Sequence, residues 1–200
     1  MASNSPTAKR SFAPAQPNAA AEARQDYGSG AKVFHWLTAL LMAGSFILAF
    51  IMVELPIGPL KIDLYNWHKT IGLTILGLAV LRLAWRLRHP APPLPGGMVA
   101  WERWAAQATH VALYLFLFSQ PLVGLVMSWA SGFPTILFDS FTLPSPIAAN
   151  QALYDALSAV HFWSAWAMLT LIALHAGAAL RHHFVKKDDV LRRMLPRRPR

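Results

Sequence analysis

Ala156–Leu180 reads ALSAVHFWSAWAMLTLIALHAGAAL, twenty-five residues without one charge. A run of about 20 apolar residues is enough to cross the hydrocarbon core of a bilayer as a helix. Two histidines interrupt it, His161 and His175, fourteen positions apart. At 3.6 residues per turn this is nearly four whole turns, so both imidazoles leave one face of the helix, roughly 21 Å apart along its axis. No single ion can be bound by both. The spacing therefore describes two separate sites, one near each membrane surface.

The rest of the chain agrees with a membrane setting. Of its 200 residues 55% are apolar and only 14% charged, and mean hydropathy is +0.36. A soluble domain carries about a quarter charged residues, so a water-soluble globule is excluded. Val33–Val53 (VFHWLTALLMAGSFILAFIMV) is a second uncharged run, closed by Pro56, Gly58 and Pro59. Another span starts near Tyr65–Lys69 and continues through TIGLTILGLAVL to Arg82 and Arg86, whose long side chains can reach an interface. Trp104–Phe138 has no charge at all. It is expected to form a helix from about Glu102 to Ala130, kinked at Pro121, and then a loop rich in Pro, Ser and Phe. With the fourth span over about Ala152–His183, the expected fold is an all-α membrane protein, a four-transmembrane-helix bundle.

Basic residues supply the expected orientation. Of the 18 Lys and Arg, all but Lys61 and Lys69 fall on the side of the two termini. The positive-inside rule then places both termini in the cytoplasm of a bacterial inner membrane, which requires an even number of spans. Residues 1–30 lack a signal-like apolar run and read as a disordered cytoplasmic tail, residues 31–185 as the membrane domain and residues 186–200 as a basic cytoplasmic tail. The net charge of +9 is explained by topology and by anionic membrane lipid, and no nucleic-acid partner is expected. Absence of cysteine excludes disulfides, thiolate metal sites and covalently attached haem.

Ionisable side chains inside a membrane are costly and mark function by default. By depth, His68 at the mouth of the second span matches His161, and His35 near the start of the first matches His175. Two facing imidazoles suit a planar cofactor ligated above and below. Haem iron is the natural candidate, held non-covalently as two haem b groups, and two strong axial ligands favour electron transfer over oxygen binding. Ala39, Gly72, Ala165 and Ala179 stand four residues after the four ligands and leave room for a macrocycle edge, although small residues also serve helix packing. Trp36, Trp67, Phe162 and Trp163 flank the ligands, either against the rings or as an interfacial belt. His110 lies at a depth close to that of His35 and His175, and depth does not separate a His110–His175 pair from His35–His175. His182, two turns beyond His175 on the same face, is placed either to hydrogen-bond a quinone carbonyl and move a proton or to lie with His183 at the interface beside Arg181.

FHW at 34–36, WHK followed by Gly72, THVALYLFLFSQPLVGLVMSW at 109–129, the H-x13-H pair and GAALRHHF at 177–184 together resemble the bacterial cytochrome b561 family of di-haem, quinone-linked membrane proteins, from about Val33 to Leu195. The resemblance implies His35 and His175 as ligands of a cytoplasmic-side haem, and His68 and His161 as ligands of a periplasmic-side haem. It favours His35 over His110 and places quinone near His182. The family includes an oxidoreductase that takes electrons from superoxide and gives them to ubiquinone. Here the expected periplasmic loops offer Lys61 and Lys69 against Glu54, Asp63 and Asp139, little net charge with which to gather an anion. The expected function is transmembrane electron transfer between quinone and superoxide or a periplasmic redox partner. Its alternatives are an electron-relay anchor subunit for a dehydrogenase or hydrogenase-like partner, and a haem-free histidine-based transporter.

Overall fold

The computed structural model describes residues 26–94 and 97–196. The segments at 1–25 and 197–200, which hold most of the expected N-terminal tail and the last basic residues, lie outside the described residues. Four long helices follow one another: α1 (Ser29–Glu54), α2 (Pro59–Arg88), α3 (Ala100–Ala130) and α4 (Gln151–Arg181). All four are long and apolar enough to cross a membrane. Their outward faces carry large apolar side chains, with Leu40 70%, Leu115 65% and Leu174 64% exposed. In water such faces would aggregate; in lipid they need no cover.

Helix ends follow local chemistry. Pro59 starts α2, its fixed φ suiting a first turn where the missing N–H has no partner to lose. This helix begins before the expected Tyr65, because Lys61 and Asp63 lie on its first turns rather than in a loop. At the start of α4 the Asn150 side chain accepts from the Leu153 amide at 3.0 Å, a side-chain N-cap. Pro121 lies within α3. Between α3 and α4 the expected loop contains a two-stranded antiparallel hairpin, β1 (Thr135–Leu137) and β2 (Phe141–Leu143), with Ile136 opposite Thr142. Phe138 and Asp139 turn the chain at positive φ. The hairpin is fixed to α2: the Phe138 amide donates to Thr70 Oγ1 at 3.2 Å and Lys69 Nζ to the Pro134 carbonyl.

Packing is uneven around the bundle. α1 packs on α2, α2 on α3, and α3 on α4, whereas α4 makes no comparable backbone approach to α1 or α2. Ile75 and Ala79 of α2, Leu117 of α3 and Met168 of α4 form the buried centre. Beyond it, the opposed faces of α4 and of α1 and α2 are bridged by long side chains, and the histidines are foremost among them.

At the end of the bundle where α1 begins and α4 ends, the chain closes over itself. After α4 a single π-helical turn covers His182–Lys186, and a short 3-10 turn covers Arg192–Met194. Glu102, 7% exposed, accepts from Arg181 Nη1 at 3.2 Å and from Lys186 Nζ. Lys32 Nζ and Trp36 Nε1 both donate to carbonyls of the C-terminal segment, those of Leu195 and Met194, at 2.9 Å. Arg193 Nη1 donates to the Pro93 carbonyl at 2.8 Å.

Candidate functional site

The histidines meet in pairs. His35 on α1 faces His175 on α4 with ring centroids 6.3 Å apart and planes at 68°. His68 on α2 faces His161 on α4, also at 6.3 Å, with planes at 83°. Among the described residues no three His, Asp or Glu side chains converge as a cage for one ion. The imidazoles thus form one opposed pair, His68 with His161, and one group in which His175 meets both His35 and His110, on the two ends of a helix that stands apart from α1 and α2.

The residues present can be tested against a haem. Two imidazoles that ligate one metal from opposite sides, with metal–nitrogen bonds of about 2.0 Å and ring bonds of about 1.35 Å, have centroids roughly 6.3 Å apart. Both pairs match this spacing. His110, the rival partner on α3, stands 5.4 Å from His175, too close for a metal between them on the same arithmetic. His161 Nδ1 is buried without a hydrogen-bond partner, a costly condition for a polar atom. On its α3 side the ring is met by Gly124, where an added Cβ would lie 3.1 Å from His161 Cε1. One turn beyond His68, an added Cβ on Gly72 would meet nothing within 4 Å, as at Gly44, Gly77 and Gly177, so there is space beside the ring. The donor chemistry, spacing and cradle fit haem.

Neighbouring groups orient these rings. His68 Nδ1 lies 3.2 Å from both the backbone carbonyl and the hydroxyl of Ser45. Donation of Nδ1–H to the carbonyl leaves the Nε2 lone pair free for a metal, the usual outer-shell arrangement of a ligating histidine. Gln120 Nε2 donates to the His161 carbonyl at 3.1 Å and ties α3 to α4 beside this imidazole. At the other pair, Arg82 Nη2 stands 3.2 Å from His35 Nδ1, and its guanidinium carbon lies 5.4 Å from the centre of the Tyr114 ring. Arg82 therefore points into the bundle instead of reaching for the interface. Ser45, Gln120 and Gly124 left no mark in the sequence beyond being small or polar within apolar runs. Of the aromatic neighbours, Trp36 meets His35 edge-on at 5.2 Å. Trp67, Phe162 and Trp163 are exposed at 43%, 54% and 69% and form an outward belt.

His182 is buried, and its Nδ1 meets the Asp188 carboxylate. Burial alone would raise the Asp188 pKa, but the hydrogen bonds from His182 and the Val190 amide, with Lys186 nearby, hold it below the ordinary carboxylate range.

The model of the family described as prokaryotic cytochrome b561 matches residues 26–197. The chain is 39% identical over 178 residues to cytochrome b561 homolog 2 of Escherichia coli (strain K12), covering 84% of this chain and 90% of that protein. It is 34% identical over 171 residues to the probable superoxide oxidase CybB of Yersinia pestis, covering 82% and 92%. It is 31% identical over 167 residues to cytochrome b561 homolog 1 of Escherichia coli (strain K12), covering 82% and 93%. Four apolar helices and this match make it a multi-pass protein of the bacterial inner membrane, a helical bundle whose family implies b-type haem and membrane electron transfer. The chain belongs to the prokaryotic cytochrome b561 family.

Proposed function

We propose that this protein moves electrons one at a time across the membrane through two b-type haems, one held by His35 and His175 and the other by His68 and His161. The observation that carries this reading is the equal 6.3 Å separation of the two imidazole pairs, each joining α4 to a different helix. Haem supplies the one-electron redox couple; the protein supplies position and dielectric. A haem held between two imidazoles would have no open coordination position, which suits electron transfer. With Nδ1–H donated to the Ser45 carbonyl, His68 would hold the tautomer that can ligate. The basic residues on the terminal side orient that end toward the cytoplasm and the hairpin end toward the periplasm.

On the cytoplasmic side the second redox partner is a quinone, ubiquinone in this reading, at His182. With Nδ1 committed to Asp188, Nε2 is the ring nitrogen left for a quinone oxygen. It accepts a proton from a quinol hydroxyl when the ring is neutral, and donates one to a reduced quinone when the ring is charged and held by Asp188. On the periplasmic side the partner is superoxide, the substrate for which the Yersinia relative is named, or a redox protein. Lys61 and Lys69 there are engaged with the carbonyls of Leu55 and Pro134. Exposed Phe133, Phe138 and Phe141 on the hairpin segment favour the second reading, an electron relay to a docked protein.

Stopped-flow mixing of the purified protein with superoxide or with quinol tests both ends. Rapid reduction of haem by superoxide in the isolated chain, followed by quinone reduction, supports the oxidoreductase. Quinol-driven reduction with no response to superoxide supports the relay. A protein without a b-type reduced-minus-oxidised spectrum contradicts both.

A further inference from the structure

Arg82 has a place in the bundle that its present partners do not explain. Its guanidinium carries only donors, so the 3.2 Å contact with His35 Nδ1 requires that nitrogen to accept and the ring proton to sit on Nε2. A metal taken by Nε2 needs the opposite arrangement, with the lone pair on Nε2 and the proton on Nδ1. Two donors would then face each other across that contact, and a metal on Nδ1 instead would take the same position from Arg82. Either way, ligation by His35 displaces the guanidinium. The ionisable side chains around Arg82 are Tyr114, Arg86, Tyr27 and the histidines His35, His110 and His175, and among the described residues no carboxylate is ion-paired with it. A cation freed inside a membrane protein requires an anion.

Resting on the reading that His35 and His175 hold a haem, we propose that Arg82 is the anion-binding residue of that site: displaced from His35 by ligation, it takes a carboxylate of the incoming haem. The neighbouring Tyr114 ring, 5.4 Å away, keeps the guanidinium at this depth by cation–π attraction while it changes partners. A bidentate arginine–carboxylate contact would then fix the rotation of the macrocycle about the axis through the two imidazoles, which the ligands alone leave free. The same cation would favour the reduced state of a haem held there.

The test uses full-length protein produced without haem and titrated with haem b or with its dimethyl ester, which lacks free carboxylates. Arg82→Gln should weaken binding of haem b at one of the two sites by about 10- to 100-fold, lower that site's midpoint potential, and tighten binding of the ester, which in the wild type frees the cation without giving it an anion. Arg82→Lys should recover part of the loss. Equal weakening of haem b and ester would overturn the proposal, since it would mean a structural role or an anion supplied by lipid phosphate. Unchanged haem b binding would overturn it as well. His35→Ala separates this inference from the reading beneath it. If His35→Ala keeps both haems, the ligand assignment falls and the inference with it; if it loses one haem while Arg82→Gln binds haem b normally, the role of Arg82 alone is wrong.

Discussion

Gly124 lies against His161 so closely that a Cβ at this position would stand 3.1 Å from the ring's Cε1 and 3.4 Å from Nδ1. Replacing glycine by alanine inside a helix ordinarily gains about 1 kcal/mol of helix propensity, so Gly124→Ala should not loosen α3. The cost falls on the ring, which must move by a few tenths of an ångström. We expect Gly124→Ala to keep its thermal stability while one of the two haems shows a shifted Soret band and binds roughly tenfold more weakly, about 1.4 kcal/mol. Gly124→Leu should lose that haem. Haem titration with absorbance readout checks both variants, and unchanged spectra would show that α3 does not form the back of the site.

His161→Ala should reduce haem content from two per chain to one, with the remaining haem retaining a six-coordinate spectrum. His35→Ala should do the same at the opposite site. His110→Ala should leave both haems in place, because its 5.4 Å approach to His175 is too short to enclose a metal. Loss of a haem in His110→Ala would transfer ligation to α3. Pyridine haemochrome assays on the purified variants decide.

Asp188 anchors the segment that follows α4. Its folded pKa is held below the ordinary value of about 3.9, so its contribution to stability is present above that value and lost as pH falls through the lower, folded one. Hydrogen exchange in residues 188–196, corrected for intrinsic rates, should therefore stay protected at neutral pH and lose protection only below about pH 4. Asp188→Asn should abolish this transition. The same variant should slow quinone reduction about tenfold, the usual scale for an orienting partner of a proton-transferring group, with haem content unchanged. Wild-type quinone kinetics in Asp188→Asn would remove His182 from the quinone site.

Much of this architecture was legible in the sequence for a simple reason. A membrane span is written in consecutive residues, so the uncharged runs at Val33–Val53 and Ala156–Leu180 declare their helices without tertiary information. The fourteen-residue spacing of His161 and His175 declares two depths on one face, because helical geometry is local. The early start of α2 was hidden by Lys61 and Asp63, whose polarity looks like loop although both sit on helical turns at a membrane surface. The hairpin at Thr135–Leu143 was equally hidden, since its short strands depend on Thr70 and Lys69 of a distant helix. Contacts such as Ser45 with His68, Arg82 with His35 and Asp188 with His182 join residues whose pairing no local pattern specifies. Depth arithmetic left His110 and His35 level; the difference between them is a lateral one, visible only when the helices are placed side by side.

The most direct measurement is the ratio of haem b to polypeptide in the full-length protein purified from membranes with ample haem supply, taken together with its low-temperature electron paramagnetic resonance spectrum. Two haems per chain, both low-spin with paired imidazole ligation, is the result expected from opposed histidines at both ends of α4. A single haem, or a high-spin signal showing iron with an open position, would contradict it.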